Sequence, residues 1–238
     1  DRTSRGLGDV YKRQTFDEAI KADENNGQAY AWKACAIGQG LGRGFIQGDM
    51  NEIWSEAEGC LKKAHELNDN DFEVHRLMAE VNLGQKNFRV AERHASKAYK
   101  MVPNDPRVLS VYGEVSLRLG KIDQGLDALK LALEIDPIAQ GKTNSDSRTS
   151  PVLFGEYLAR NKDNCLELVE KLEDIDPKSW LVTAKLCNDE EHDITEEDWY
   201  KRGKEKFKDK DWTNEVDAFR LNNDGAKESL IEFANSLF

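Results

Sequence analysis

Proline, cysteine and aromatic residues are all scarce in this sequence of 238 residues. Only five prolines are present, so long stretches are free of the residue that breaks helices most strongly. The four cysteines, Cys35, Cys60, Cys165 and Cys187, form no C-x-x-C pair and have no histidine at metal-ligand spacing. We therefore expect reduced thiols packed in helices, which favours a reducing compartment and a cytoplasmic location.

The sequence also lacks an excess of positive charge and any long apolar run. Its formal net charge is -11, which argues against a nucleic-acid partner because binding phosphates requires a cationic surface. The apolar runs are far shorter than the roughly 20 residues that a membrane span requires. No segment alternates β-branched residues, and alanine, leucine, glutamate and lysine abound. The composition predicts a soluble helical protein that binds neither nucleic acid nor membrane.

The first residues are not expected to belong to the natural protein. The segment Ser4–Gln14, SRGLGDVYKRQ, is similar to the in-frame translation of a transposon-type sequencing adapter, so we exclude 1–14 from the fold. A basic targeting peptide is the alternative, but it requires an apolar stretch that is absent here. Because Thr15–Ile20 reads as the end of a helix without its start, we expect the parent protein to extend upstream.

An internal repeat is the clearest signal in the sequence. Phe72–Asp105, here called repeat A, aligns without a gap on Pro106–Ala139, repeat B, at a spacing of 34 residues. Each repeat divides into two amphipathic helices joined by a short turn, which Gly120 supplies in repeat B. The predicted helices cover 73–84, 88–101, 107–119 and 122–135. The matching positions are Ala79 with Gly113, Ala91 with Gly125, Ala95 with Leu129, Ala98 with Ala132, and Pro103 with Pro137.

Less regular segments flank these two repeats. An earlier repeat starts near Gly27 and is lengthened by Gly38–Gly48, a glycine-rich segment that we expect to form an exposed loop. After repeat B we predict a polar linker over 140–150 and a final helix capped by Asn223 or Asp224. Further helices are predicted at 151–160, 164–174, 178–188 and 195–208. Trp180, Trp199 and Trp212 are expected to pack in this C-terminal part.

The two aligned repeats resemble the tetratricopeptide (TPR) family. Counted from the first residue of each repeat, they have a small residue at position 8, small or apolar residues at positions 20, 24 and 27, and proline at position 32. The resemblance implies an all-α, TPR-like α-solenoid of antiparallel helical hairpins with a C-terminal capping helix. TPR repeats would then cover 15–139, the first of them truncated, and degenerate helical repeats with a cap would cover 151–238. A generic helical bundle with accidental periodicity is the alternative.

In TPR proteins the concave face is lined by the first helix of each repeat, and a protein or peptide segment binds there. The mixed charges at these positions predict a partner segment of mixed charge, while a solvated face that binds nothing is the alternative. Chaperone-binding TPR clamps carry asparagine at position 9, where Glu80 and Glu114 would repel a carboxylate. The resemblance places on this face Glu73, Arg76, Glu80, Leu83, Gly84, Arg107, Ser110, Glu114, Leu117 and Arg118.

No motif predicts a catalytic residue, a cofactor or a metal site. The glycine cluster has Arg43 where a dinucleotide fingerprint needs glycine, and Gly141–Thr143 lacks the first glycine of a phosphate-binding loop. The four histidines, at positions 65, 75, 94 and 192, fall on different predicted helices without an orienting partner, so we expect packing or surface roles. Runs of acids such as Asp189–Glu191 are expected to be ordinary surface charge.

Three segments together resemble the C-terminal TPR region of bacterial class III adenylate/guanylate cyclases. They are Gly44–Ala57, the pair of runs Leu67–Glu73 and Pro103–Arg107, and Asp217–Asp224, where Asn223 replaces the proline of an F-x-N-P-x-D segment. The resemblance implies that the chain is the regulatory or docking arm of a larger signalling protein and is not itself an enzyme. The alternatives are a self-association module and an enzyme with a cryptic site in 150–238.

Overall fold

The computed structural model describes residues 13–42, 46, 48–188 and 193–238, and these residues form helices and connections without a strand. The chain divides into two compact units, Asp1–Pro103 and Asn104–Phe238, here called the first and second unit. Most of the expected adapter segment, residues 1–12, lies outside the described residues. Within the described part, helix α1 covers residues 13–22.

The first unit is built from α1 and four further helices. Helices α2, α3 and α4 share a core of small and aliphatic side chains that includes Ala34, Ile37 and Leu77, each fully buried. Helix α5 contributes a stripe of alanines against α4, which lets the two backbones approach closely. The helices are α2 (Gly27–Gly42), α3 (Met50–Leu67), α4 (Phe72–Gly84) and α5 (Phe88–Met101).

The glycine-rich segment of the first unit differs from the exposed loop that we predicted. Helix α2 continues through Gly42, and Gly40 within it is buried. The side chain of Ile46 accounts for the absence of a larger residue at position 40, because a Cβ on Gly40 would lie 2.6 Å from the Cδ1 atom of Ile46. The Ile46 N–H also donates to the Gly40 carbonyl at 3.2 Å. The glycine therefore serves packing here, while residues 43–45 and 47 lie outside the described part.

The second unit contains eight α-helices within its described residues. Its first two, α6 and α7, form the hairpin of repeat B, as α4 and α5 form that of repeat A. All four begin within a residue of the predicted starts and end at or one residue before the predicted ends. The helices are α6 (Pro106–Arg118), α7 (Ile122–Ile135), α8 (Asp146–Leu158), α9 (Lys162–Glu170), α10 (Pro177–Cys187), α11 (Asp198–Lys206), α12 (Trp212–Asp217) and α13 (Asp224–Leu237), with a 3₁₀ turn at Ile194–Glu196.

The two hairpins use different small residues at the same crossing point. Ala79 and Ala91 occupy these positions in repeat A and are both fully buried, whereas Gly113 and Gly125 lie against each other in repeat B. A Cβ added to Gly113 would lie 2.8 Å from the Gly125 carbonyl oxygen, and one on Gly125 equally close to that of Gly113. Since backbone cannot move aside as a flexible side chain can, α6 and α7 pack at a distance that only glycine permits.

Helix α8 begins earlier than predicted, inside the segment expected to be a polar linker. Its first turn is fixed by contacts with residues distant in sequence, which a local pattern does not reveal. The Arg148 guanidinium donates to the side chain of Asp136 at 2.8 Å and also to the Asp136 carbonyl. The Asp146 carboxylate accepts the backbone N–H groups of Glu173 and Asp174 at 3.1 and 2.8 Å. Pro151 consequently lies inside the helix rather than at its start.

Helix α10 lies at the centre of the C-terminal part and contacts α8, α9, α11, α12 and α13. Its Trp180 is fully buried, and the indole N–H donates to the Tyr200 carbonyl at 3.1 Å. Trp199 and Trp212 are also buried, so the predicted packing role of all three tryptophans is confirmed. Helix α12 was not predicted. The last helix is capped by Asn223, whose side chain accepts the Ala226 N–H at 3.0 Å.

The four cysteine side chains are buried, as predicted, on α2, α3, α9 and α10. Burial raises the pKa of the Cys165 thiol to about 12, so this group stays protonated at neutral pH. A protonated, buried thiol is a poor nucleophile, which fits a packing role.

We predict that Gly113→Ala lowers the free energy of unfolding by about 2 kcal/mol, because the new methyl group overpacks the crossing of α6 and α7. Gly59→Ala is the matched control, since Gly59 lies on α3 with nothing within 4 Å of its added Cβ. That change should stabilise the chain by up to about 1 kcal/mol through helix propensity. Urea unfolding followed by circular dichroism measures both, and equal effects would contradict the close packing.

Candidate functional surface

Helix α4 of the first unit carries three of the predicted partner-binding residues in one ionic network. The Arg76 guanidinium donates to both carboxylate oxygens of Glu73, at 2.9 and 3.1 Å, and to Glu80 at 2.9 Å. Its Cζ atom lies 5.4 Å from the centre of the Trp32 ring on α2. The spacing of three and four residues along a helix makes these contacts possible.

This network is largely closed to a partner. The side chains of Arg76 and Glu73 are only 7% and 6% exposed, whereas that of Glu80 is 37% exposed. Burial alone would lower the pKa of Arg76, but the hydrogen bonds with Glu73 and the charge of Glu80 raise it instead. Leu83 is buried as well. Gly84 has no side chain, so of the five predicted residues on α4, Glu80 is the one whose side chain offers substantial surface.

Helix α6 of the second unit carries the other five predicted residues, and several are engaged within the unit. Arg107 pairs with Asp105, the residue that caps α6, at 2.7 and 3.1 Å. The Ser110 hydroxyl donates to the Pro106 carbonyl at 2.9 Å and accepts from Arg148. Leu117 is buried in the core. Most of the predicted residues on α6 therefore contribute to the fold of the second unit.

Arg118 at the end of α6 differs from the other predicted residues because its charge is poorly paired. Its side chain is 4% exposed, and its Nη2 atom lies 3.8 Å from a Glu114 carboxylate oxygen. The Nε and Nη1 atoms have no hydrogen-bond partner among the described residues. The guanidinium lies against the Phe154 ring of α8, with Cζ 4.6 Å from the ring centre. Buried donors without partners are uncommon in folded proteins.

Two further cations lie near Arg118. The Lys178 ammonium on α10 is 5.1 Å from the centre of the same Phe154 ring, and Arg220 follows α12. Burial lowers the pKa of Lys178, and the charges of Arg118 and Arg220 lower it further against the opposing effect of Glu114 and Asp176. Burial likewise lowers the pKa of Arg118. We call Arg118, Lys178 and Arg220 the cationic cluster.

Sequence reasoning identified Arg118 but missed the rest of this arrangement. Phe154 and Lys178 lie on α8 and α10, the first helices of the later hairpins, and so correspond to α6 in repeat B. These later hairpins do not keep the spacing of 34 residues, so no alignment carried the surface onto them. The signal that could have found them is Pro177 at the start of α10, which corresponds to Pro106 at the start of α6.

Three histidines come together in the first unit, although they lie on different helices, as predicted. His65 lies in the last turn of α3, His75 on α4 and His94 on α5, with ring centres separated by 5.7, 5.6 and 5.1 Å. The Nδ1 atoms of His75 and His94 are 2.8 Å apart, so one of them donates to the other. Asp69, in the turn between α3 and α4, faces this group. His192 lies outside the described residues.

Asp69 is the acidic member of this group. Its Oδ1 atom is 3.1 Å from His65 Nδ1 and 3.5 Å from His75 Nε2. Its Oδ2 atom pairs with the Lys97 ammonium at 2.6 Å, and that hydrogen bond lowers the pKa of the carboxyl group. Burial lowers the pKa of His75, and burial together with the neighbouring rings lowers that of His94 to about 4. The rings of His75 and His94 are therefore neutral at neutral pH.

Comparisons with known proteins agree with the helical-repeat architecture. Among solved structures, the chain is similar to pilF of Pseudomonas aeruginosa, a TPR-containing protein, with a TM-score of 0.60 and 16% identity over 87% of this chain and 89% of that one. At this identity the similarity shows the fold alone, which is the predicted all-α TPR-like solenoid. No protein-family model matches the chain, and no curated protein does.

Within the described residues, no helix is both long and apolar enough to cross a membrane.

We predict that Glu73→Ala lowers the free energy of unfolding by about 3 kcal/mol, because it leaves the buried Arg76 guanidinium without its bidentate partner. Glu80→Ala removes the exposed partner of the same arginine and is expected to lower it by less than about 1 kcal/mol. Chemical unfolding of the two variants beside the parent chain measures the difference. Equal losses would show that Glu73 is no more structural than Glu80.

Proposed function

We propose that the chain is a protein-interaction scaffold that binds an acidic segment of a partner protein through the cationic cluster of the second unit. The observation that carries this proposal is the placement of two cations, Arg118 and Lys178, against the Phe154 ring, with Arg220 as a third positive charge near both, in a protein of net charge -11. Like charges repel, so a cluster of this kind gains stability when an anion joins it. An acidic partner segment would supply that anion.

The unpaired donors of Arg118 support the same partner chemistry. A buried guanidinium whose Nε and Nη1 atoms lack acceptors destabilises the fold, and a carboxylate oxygen would satisfy them. Lys178 and Arg220 are partly exposed, so an acidic partner segment would contact these two cations directly.

The acidic groups near the cluster offset only part of its positive charge. Asp176 uses one carboxylate oxygen to accept the Ser179 N–H at 3.0 Å, and the other accepts the hydroxyls of Ser150 and Ser179 at 2.6 Å each. Glu114 lies 3.8 Å from Arg118, beyond hydrogen-bond distance, and its side chain is 30% exposed. A partner carboxylate at hydrogen-bond distance would interact with Arg118 more strongly than Glu114 does.

The predicted face of the first unit is a weaker candidate for the same role. The Arg76 charge there is already paired with two carboxylates, and the remaining exposed group, Glu80, would repel an acidic segment. We therefore place the docking of the partner in the second unit, with the exposed part of α6 at its edge.

We predict that a fluorescently labelled peptide of alternating glutamate and glycine binds the chain, and that Lys178→Glu weakens this binding by at least about tenfold, since it reverses a charge in a partly desolvated cluster. Fluorescence anisotropy at low and moderate salt measures the affinity. Binding should weaken as salt rises, because partly exposed ion pairs are screened.

Lys142→Glu is the matched control for this experiment. Lys142 is exposed in the turn before α8, and its replacement changes the net charge of the chain by the same amount. The affinity for the glutamate peptide should be unchanged in this variant, and a lysine–glycine peptide should not bind. If both variants lose affinity equally, or if the parent chain does not bind the glutamate peptide, the cationic cluster is not the docking site.

We also propose that this scaffold is the docking arm of a larger signalling protein of the class III cyclase kind. The three segments that resemble the C-terminal TPR region of those cyclases support the proposal, among them Asp217–Asp224, which contains Asn223, the cap of α13. Because no cyclase metal-binding motif can be assigned in this sequence, we predict that the chain with ATP or GTP and Mg²⁺ forms no cyclic nucleotide. Chromatographic detection of a cyclic product above the protein-free control would contradict this assignment.

A further inference from the structure

The histidine group of the first unit has the donor atoms and spacings of a metal site. His65, Asp69 and His75 each present one ligand atom, and these three atoms lie within 4.8 Å of one another. In a tetrahedral zinc site with bonds of 2.0–2.2 Å, neighbouring ligand atoms are about 3.4 Å apart. The Asp69 Oδ1 atom lies 3.1 Å from His65 Nδ1 and 3.5 Å from His75 Nε2, which is close to that separation.

The contacts of His65 indicate that its ligand atom is not committed to another role. Although Nδ1 of His65 lies 3.1 Å from Asp69 Oδ1, the atom is shielded from solvent and makes no hydrogen bond within the described residues. A cation between the nitrogen and the carboxylate oxygen would use both lone pairs. Two imidazole nitrogens and a carboxylate oxygen are donors that favour late first-row divalent ions.

His94 occupies the place of a supporting residue behind His75. In proteins, a histidine that binds a metal through one ring nitrogen donates the N–H of the other to an acceptor. The Nδ1 atom of His75 is 2.8 Å from that of His94, so His75 can donate there while Nε2 faces Asp69. Without metal, a neutral His75 that donates from Nε2 to the Asp69 carbonyl, 2.8 Å away, accepts at Nδ1 from His94. Metal binding at Nε2 would therefore require both rings to change tautomer, so that His75 carries its proton on Nδ1 and His94 carries its own on Nε2, with no net release of a proton.

The carboxylate is held in a suitable orientation and the site is open on one side. Lys97 binds Oδ2 of Asp69 at 2.6 Å and leaves Oδ1 directed towards the histidines. The Lys97 ammonium also places a positive charge near the site, which moderates the affinity for a cation. The side chains of His65 and Asp69 are 44% and 54% exposed, so an ion can enter from solvent and retain a water ligand.

We propose that His65, Asp69 and His75 bind a divalent transition-metal ion such as Zn²⁺, with His94 positioning His75 and water completing the coordination. The ligands come from the end of α3, the connecting turn and α4, so the ion would tie the last turn of one hairpin to the first helix of the next. Metal binding of this kind stabilises the folded state, because the unfolded chain does not present the three ligands together.

The test is isothermal titration calorimetry of the metal-free chain with ZnCl₂, together with thermal unfolding in the presence and absence of the metal. We expect one site per chain and a higher unfolding midpoint with zinc. His65→Ala and Asp69→Ala should each weaken zinc binding by more than about tenfold. Both positions are exposed enough for the variants to fold, which circular dichroism verifies.

Glu66→Gln is the matched control, since Glu66 is exposed beside His65 on α3 and is not one of the ligands. Its affinity for zinc should equal that of the parent chain. His94→Gln tests the supporting role and should weaken binding less than His65→Ala does, because the three residues that bind the metal are kept. Absence of zinc binding by the parent chain would overturn the proposal, as would equal affinity in the His65→Ala and Glu66→Gln variants.

Discussion

The close approach of paired helices is the constraint on which the rest of this structure depends. In repeat B the second helix packs on the first where Gly113 lies against Gly125, and the matching positions of repeat A hold Ala79 and Ala91, both fully buried. Backbones that approach so closely fix the rotation of each helix about its axis, and rotation decides which side chains face the core. The positions of the charged residues on α4 and α6 therefore follow from these small contacts.

The two units differ in how well a buried arginine is paired with carboxylates. Arg76 is surrounded by carboxylates from its own helix, so its charge is satisfied at the cost of being unavailable to a partner. Arg118 is similarly buried, but its ion pair with Glu114 is long, at 3.8 Å, and an aromatic ring and two further cations lie near it. Because burying unpaired charge destabilises a fold, such an arrangement is usually retained for a reason other than stability. That contrast leads us to place the docking surface in the second unit.

Helix positions and turns could be predicted from the sequence wherever a local rule governs them. Pro103 and Pro137 follow the ends of α5 and α7, and Gly120 has a φ of +76° in the turn between α6 and α7. The corresponding turn of repeat A uses Lys86 at a φ of +63°, which no residue preference indicates. The ten residues predicted for the partner-binding face are on the predicted helices, yet their exposure depends on neighbours that the repeat pattern does not specify.

The sequence by itself determined the helical repeat, since the spacing of small residues, apolar residues and prolines requires only local geometry and stacking. Only the tertiary structure decided where α8 begins, because Arg148 in its first turn donates to Asp136, the residue that follows α7. It alone also brought His65, His75 and His94 together and placed Lys178 beside Arg118. Contacts between side chains on separate helices depend on how those helices pack, and no short-range pattern encodes that.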